Sequence, residues 1–471
     1  MNIKKILAFS LGPIGGALLG ILTIPILAWS FSVADIGRFG ILQLILSFSC
    51  ILFTLGLDQA YVREYHEVSD RGILFKTALI TSISFFGIIV FFLLFKAKII
   101  SSWAYQVPSF FLSVMTIICI FFNILLRYLS LTVRMQERGI LYSISQIFPK
   151  LILLITVVTF YFFNGNNFDF YYLITMQFFS LFLVSLIFIY FIKEDFLIVF
   201  TKKTDLKLLK KLFKFGFPLV LSGLVFWLMQ SASRVVLLKI STLEEVGIFS
   251  VAISIAAGFS IFASIFNTLW APEIYKLVKA GKGVSEVETA SEYITFLISM
   301  VISFITILMP LIPFFLPKDY EGIEYLVLLC IMQPLFYVLS EATAVGLLIK
   351  RKTNYTIFIS IIGLIINFIL LMALVPVYGA LGAAISVSLS FWFFFILRTE
   401  FSCVLWESIT RKKVYISTTI SLLFVVINSF FKIDYFISIT GVFILFIINI
   451  FIFKDLTRKV LKSTLASLRF L

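Results

Sequence analysis

Three basic and two acidic residues stand inside long apolar runs, and chemistry in this chain would be done with them. Arg234 follows Gln230 by one helical turn and lies among Ser231, Ala232 and Ser233, a small polar patch suited to a water-filled cavity. Arg127 lies one turn beyond Asn123, and Lys150 follows Pro149. Glu341 sits in Ser340-Glu341-Ala342-Thr343-Ala344, beyond Gln333 and Pro334, and Asp58 follows Leu55-Gly56-Leu57. A charge at the centre of a membrane helix costs about 2.5–3.5 kcal/mol on insertion scales, so each retained one is a functional hypothesis. Guanidinium and ammonium groups in a low-dielectric cavity compensate a concentrated anion strongly. A buried carboxyl can take up a proton, because desolvation favours its neutral form, or it can neutralise an arginine. On this reading Arg234, Arg127 and Lys150 bind an anionic substrate, and Glu341 and Asp58 are candidates for handling a coupling ion. Plainer roles exist for each. The three cations can snorkel to an interface, Glu341 can form a structural pair near the inner mouth, and Asp58 can pair with Arg63 at a helix end.

These residues are positioned by an almost unbroken series of apolar segments. Hydrophobic residues make up 61% of the 471-residue chain, charged residues 13%, and the mean hydropathy is +1.12. A soluble core could not hide so much apolar surface, which places the chain in the polytopic membrane class. In hydrocarbon every backbone N–H and C=O must be bonded internally, so segments of this length are helices. Runs such as Ile80–Phe95 and Leu181–Phe191 do not alternate as the strands of a membrane barrel would. The spans expected are 6–31, 39–57, 73–95, 109–132, 141–163, 170–192, 215–238, 247–270, 293–316, 323–349, 355–375, 380–405, 414–431 and 435–453. The first follows Lys4-Lys5 as a secretory signal would. It is too long for such a signal and lacks a clear cleavage site, so it reads as the first span.

Lys and Arg near the segment ends fix the orientation. With the N-terminus inside, 29 of them fall on the inner face and 6 on the outer, so both termini are cytoplasmic and the span count is even. That asymmetry accounts for the net charge of +14 through contact with anionic lipid, and no nucleic-acid partner is needed. The loop 193–214 divides the chain. Its Lys203, Lys207, Lys210, Lys211 and Lys214 share one helical face, opposite Leu206, Leu209, Leu212 and Phe213, so it reads as an interfacial amphipathic linker. The basic tail 454–471 has the same pattern. The two halves repeat: Val33-Ala34-Asp35-Ile36-Gly37-Arg38-Phe39 and Leu243-Glu244-Glu245-Val246-Gly247-Ile248-Phe249 match at a displacement of 210, as do Tyr65 and Tyr275. The expected architecture is an all-α membrane protein with two six-helix lobes in a parallel 6+6 repeat, 1–192 and 215–405, and two added helices in 406–453.

Much other chemistry is excluded. His66 is the single histidine, which rules out a multi-histidine metal site, and it reads as an ordinary interfacial residue. Cys50, Cys119, Cys330 and Cys403 have neither metal spacing nor a disulfide framework. No phosphate-cradling glycine loop is present and no cofactor is expected. The external loops 164–169, 239–246, 317–322, 376–379 and 432–434 are short, which disfavours a membrane enzyme of glycan assembly and favours a transporter. Pro13 and Pro25 bend the first helix, Pro149 the fifth, Pro218 the seventh, and Pro310 with Pro313 the ninth. Gly12, Gly15, Gly16 and Gly20 give the first helix a close-packing face.

Asp35-Ile36-Gly37-Arg38-Phe39-Gly40 and Leu55-Gly56-Leu57-Asp58-Gln59-Ala60-Tyr61-Val62-Arg63 resemble the start of polysaccharide-transporter flippases. Ala271-Pro272-Glu273-Ile274-Tyr275 and Val377-Tyr378-Gly379-Ala380-Leu381-Gly382-Ala383-Ala384 resemble the same family further along. These are the O-antigen and capsule (Wzx-like) flippases of the multidrug/oligosaccharidyl-lipid/polysaccharide exporter superfamily. The resemblance implies two lobes around a central cavity and flipping of undecaprenyl-diphosphate-linked oligosaccharide across the bacterial inner membrane. It also implies proton or sodium coupling, contact with membrane lipids, and a polysaccharide polymerase and chain-length regulator as partners. The alternatives are a lipid II flippase and a drug/cation antiporter of the same superfamily.

Overall fold

Helices must carry the chain wherever lipid denies the backbone a partner, and the computed structural model, which describes residues 3–96, 98–164, 169–202, 204–281, 283–350 and 352–454, contains no strand among them. In order the helices are α1 (Ile3–Ser30), α2 (Val33–Thr54), α3 (Leu57–Glu64), α4 (Arg71–Leu94), α5 (Ile99–Tyr105), α6 (Phe110–Met135) and α7 (Gly139–Asn164). Then come α8 (Phe170–Phe191), α9 (Lys193–Thr201), α10 (Leu206–Ile240), α11 (Leu243–Ala256), α12 (Ser260–Lys279), α13 (Gly283–Leu308) and α14 (Leu311–Phe314). The last are α15 (Ile323–Thr343), α16 (Val345–Ile349), α17 (Thr353–Leu405), α18 (Lys412–Phe430) and α19 (Tyr435–Ile452). Short polar residues start many of them. Ser32 accepts the Asp35 N–H, Asp70 caps α4, Ser109 caps α6, Asp169 caps α8 and Asp434 caps α19.

Among the described residues thirteen helical stretches are long and apolar enough to cross a membrane, one of them, Leu243–Ala263, running from α11 into the start of α12. The 53-residue α17 is two helices joined at Gly379, whose φ of 52° and ψ of −128° are not helical. Fourteen crossing segments result, as the hydropathy indicates. Phe162, Phe163, Phe314 and Val404 are 79–82% exposed, which only a lipid solvent makes favourable.

Boundaries differ from the sequence reading where local chemistry intervenes. The second span begins at Val33, because Ser32 caps it, and stops at Thr54, because Leu55 and Gly56 both adopt left-handed φ. The seventh span does not begin at 215. Leu206–Ile240 is one 35-residue helix that runs through Pro218, so half of the expected amphipathic linker is its first turns, and Leu212 is fully buried. Pro310 and Pro313 do not bend the ninth span, since α13 ends at Leu308 and Pro310 precedes α14. The expected external loop 376–379 is a bend within α17, because Gly379 supplies a conformation closed to other residues. The tail 455–471 and loop residues 165–168 lie outside the described residues.

The chain divides into two compact units. The first runs to Leu238 and includes Thr242–Ser250; the second is Lys239–Ser241 with Val251 onward. In the first unit α1 packs along α7, and α6 along α8 and α2. Gly12 and Gly15 allow the α1–α7 approach: a Cβ on Gly12 would lie 2.9 Å from the Ser143 Cα, and one on Gly15 would lie 2.7 Å from Ile147 Cδ1. In the second unit α15 packs along α17, while α18 and α19 lie against α13.

The internal repeat is visible inside the first unit. A Cβ on Gly37 would overlap the Leu243 carbonyl, and one on Gly247 would overlap the Val33 carbonyl. Leu243 and Gly247 are the repeat equivalents of Val33 and Gly37, so each half of the motif meets the other reciprocally. Gly40 would likewise meet Ser250, its own equivalent.

Candidate functional site

The break that ends α2 places an acid on the face of α6. After Leu55 and Gly56 turn the chain, α3 starts with Asp58 in its first turn. Arg127 of α6 donates to Asp58 Oδ2 through Nη2 at 2.8 Å and through Nε at 3.2 Å. Thr54 Oγ1 donates to Oδ1 at 3.2 Å. The Asp58 side chain is 9% exposed and that of Arg127 is 35% exposed. One turn earlier, Asn123 donates to the Leu46 carbonyl at 3.0 Å and fixes α6 against α2. Gln43 of α2 meets Gln177 of α8 at 3.2 Å. The expected Asp58–Arg63 pair is therefore not formed. Arg127, 69 residues away in sequence, takes the carboxylate, and Arg63 lies over the Phe215 ring at 4.2 Å.

Lys150 does not join this pair. Its ammonium donates to the Gly16 carbonyl at 2.6 Å. Gly12 N–H donates to Ser143 Oγ at 2.9 Å beside Pro13, so α7 holds the bent part of α1 at two points. Arg234 is half-buried on α10, beside the buried Ser231, Ala232 and Ser233.

The second unit contains a pair that sequence reading missed. In sequence Arg398 counts among the 29 basic residues of the inner face, near the end of the span 380–405. It lies within α17, 5% exposed, and donates through Nη1 to Glu341 Oε1 at 2.5 Å and to Ser340 Oγ at 2.9 Å. Phe394 covers it, with the guanidinium carbon 5.4 Å from the ring centroid, and Thr343 meets Thr399 at 2.7 Å one turn along. The available signal was position, because Arg398 falls seven residues inside the apolar run 380–405. Glu341 thus has a cation partner. Nearby, Glu400 accepts from Arg411 at 2.6 and 2.9 Å and from Tyr415 at 2.8 Å.

Among the described residues no group of three or more His, Cys, Asp or Glu side chains is arranged to hold a metal ion. His66 is exposed, edge-on to Tyr65 at 5.2 Å. Cys119 and Cys330 are buried thiols, and Cys50 and Cys403 are partly buried. What the geometry offers is therefore charge recognition. A guanidinium inside the bundle is balanced by a carboxylate it could exchange for another anion, and a second carboxylate is balanced by a second arginine.

Residues 3–278 match the family model described as "Polysaccharide biosynthesis protein". The chain belongs to that family. No curated protein sequence matches it. Among solved structures it is similar to "Lipid II flippase MurJ, inward closed conformation", with a TM-score of 0.70, 15% identity, and coverage of 95% of this chain and 99% of that one. It is also similar to an inward-facing multidrug resistance MATE family transporter of the MOP superfamily, with a TM-score of 0.55, 14% identity, and coverage of 84% and 94%. An outward-facing MATE structure gives a TM-score of 0.51 at 15% identity, covering 85% and 95%. This member of the polysaccharide biosynthesis family therefore has the MOP transporter fold.

Proposed function

We propose that the protein is a flippase that carries undecaprenyl-diphosphate-linked oligosaccharide from the inner to the outer leaflet of the bacterial inner membrane. Both termini are taken as cytoplasmic, with proton- or sodium-coupled alternating access driving the cycle. The observation that carries this reading is the Arg127–Asp58 pair, a guanidinium held inside the helical bundle by a largely buried carboxylate. Asp58 keeps the site neutral without substrate, and a diphosphate offers the same guanidinium more oxygens and more charge. Arg234 and Lys150 are the further cations assigned to the headgroup, with the prenyl tail left in lipid. Displaced from Arg127, Asp58 becomes a carboxylate in a low-dielectric site and a place for a coupling cation. Glu341, balanced by Arg398, is the second candidate. Membership in a polysaccharide biosynthesis family supports the sugar-linked substrate, and the short external loops support transport over glycan-forming catalysis. The polymerase and chain-length regulator of the same polysaccharide are the expected partners.

Purified protein in proteoliposomes with fluorescent undecaprenyl-diphosphate oligosaccharide should exchange the lipid between leaflets, faster under an imposed ion gradient. Arg127→Ala and Arg234→Ala should each slow exchange at least tenfold. Undiminished exchange in the double variant would remove these residues from the site.

A second reading is transport of lipid II. The likeness to the lipid II flippase spans 95% of this chain and 99% of that one. Competition between lipid II and the oligosaccharide lipid in the same vesicles separates the two readings. Efflux of cationic dyes without lipid exchange would instead indicate a drug antiporter.

A further inference from the structure

At the α2–α3 junction the backbone of Gly56 touches that of Gly216 in α10, and a Cβ on Gly216 would lie 2.5 Å from the Gly56 carbonyl oxygen. Two charged contacts flank this point. The Arg63 guanidinium carbon stands 4.2 Å from the Phe215 ring centroid. Lys211 pairs with Glu64 and reaches Glu67 at 3.6 Å. Glu64 is 4% exposed at its side chain, whereas Lys211 is 54% exposed. The opposite end of α2 is fastened differently. There the reciprocal Gly37–Gly247 packing joins backbones, and the adjacent Arg38 is held within α2 by Asp35 at 2.6 Å and by the Tyr105 carbonyl at 3.1 Å. At the α3 end the ion pair instead spans from α3 to α10, through a lysine that water and anions can reach.

Resting on the flippase reading above, we propose that Lys211–Glu64, Arg63–Phe215 and Gly56–Gly216 form a latch on the basic face, which a phosphate-bearing lipid headgroup opens by competing for Lys211 and Arg63. Lys211 and Arg63 are both exposed, and contacts made by exposed cations exchange readily for a better anion. A diphosphate meets both cations at once, and Glu64 cannot match that charge. With the cations withdrawn the glycine contact is left to hold α3 at this point, and α10 swings from α3 about its Trp227–Ser47 bond to α2. At the Gly37–Gly247 end the cation Arg38 is paired within α2, so a headgroup that takes Lys211 and Arg63 leaves that contact in place.

Spin labels at the exposed His66 and Lys210, neither of them a latch residue, report the opening by pulsed distance measurement in phosphatidylcholine nanodiscs. The four native cysteines are replaced for this purpose. Added undecaprenyl diphosphate should populate a longer distance, and undecaprenol, which lacks the phosphates, should not. Glu64→Gln should raise the longer population roughly tenfold without any lipid, a change equivalent to about 1.4 kcal/mol. The swap Glu64→Lys with Lys211→Glu should restore the short distance, which a merely misfolded variant would not do. Equal opening by undecaprenol, or a distribution untouched by Glu64→Gln, would overturn the latch. Lipid exchange is a separate readout: a latch that opens in a protein that flips nothing would refute the flippase and leave the latch standing.

Discussion

Asp58 and Arg127 satisfy each other at 2.8 Å in a place where either alone would be a liability. Removing one partner of a buried pair costs about 3–5 kcal/mol, and the part-exposed Arg127 reduces this to roughly 2 kcal/mol here. Arg127→Leu should therefore lower the unfolding temperature in detergent, and Arg127→Leu with Asp58→Leu should recover most of the loss. Arg398 and Glu341 are more enclosed, so Arg398→Met should cost about 3–5 kcal/mol and Arg398→Met with Glu341→Gln far less. A neutral single variant would contradict this geometry. Asp70 offers a pH test. The Lys202 ammonium bonded to it, helped by the Ile73 and Gly72 N–H groups, holds its carboxyl below the ordinary range against the opposing effect of desolvation. Its contribution is present above the unfolded value of about 3.9 and disappears as pH falls through the folded one. The stability gap between wild type and Asp70→Asn should therefore close on acidification below about pH 4, and a gap constant with pH would refute it. Sequence exposed Arg127 and Glu341 because apolar neighbours made their charge conspicuous. It hid which partner each takes, 69 and 57 residues away, and it assigned Arg398 to the inner face because cations near a span end usually lie at the interface.

Helix packing was legible wherever glycine spacing carried it. Gly12, Gly15 and Gly16 line the face of α1 that meets α7, as their spacing indicates. The bends were less legible, because a proline shows where a hydrogen bond is lost and not whether neighbours hold the helix straight. Pro218 passes inside α10, whereas Leu55, a residue with no turn preference, adopts a φ of 52° at the break after α2. Glycines therefore differ sharply in what they tolerate. Gly247→Val should abolish accumulation of folded protein, because its side chain would occupy the space of the Val33 backbone. Gly87→Ala in α4 meets nothing within 4 Å and should be neutral or stabilising by up to about 1 kcal/mol. Equal behaviour of the two variants in fluorescence-detected size exclusion would contradict the packing.

At the scale of the molecule, hydropathy sufficed to count fourteen crossings, because the solvent permits one kind of backbone. Motif repetition at 210 residues sufficed to indicate a duplicated bundle, and the reciprocal glycine contacts make it physical. The role of the last two helices was less open to view, since nothing apolar in them says what they pack against. Polar contacts answer this: Ser417 bonds Asn449 at 2.5 Å, Tyr435 bonds the Ile307 carbonyl at 2.9 Å, and Ser429 bonds the Tyr325 carbonyl at 3.0 Å. Removing the residues after Trp406 should consequently destabilise the second unit, with proteolysis in α13 and α15 as the readout. A truncated protein as resistant as the full chain would make these helices an independent module.

The Glu341–Arg398 pair also imposes an order on the making of the protein. Glu341 is synthesised 57 residues ahead of its partner, and ribosomes add roughly 5–20 residues per second. For about 3 to 11 seconds α15 must wait at the insertion machinery with an acid that nothing yet balances, and the arrival of Arg398 settles both residues in the membrane together. A pause in translation between the two helices would lengthen that exposed interval, and chains stalled before Arg398 should be the preferred substrates of membrane quality-control proteases.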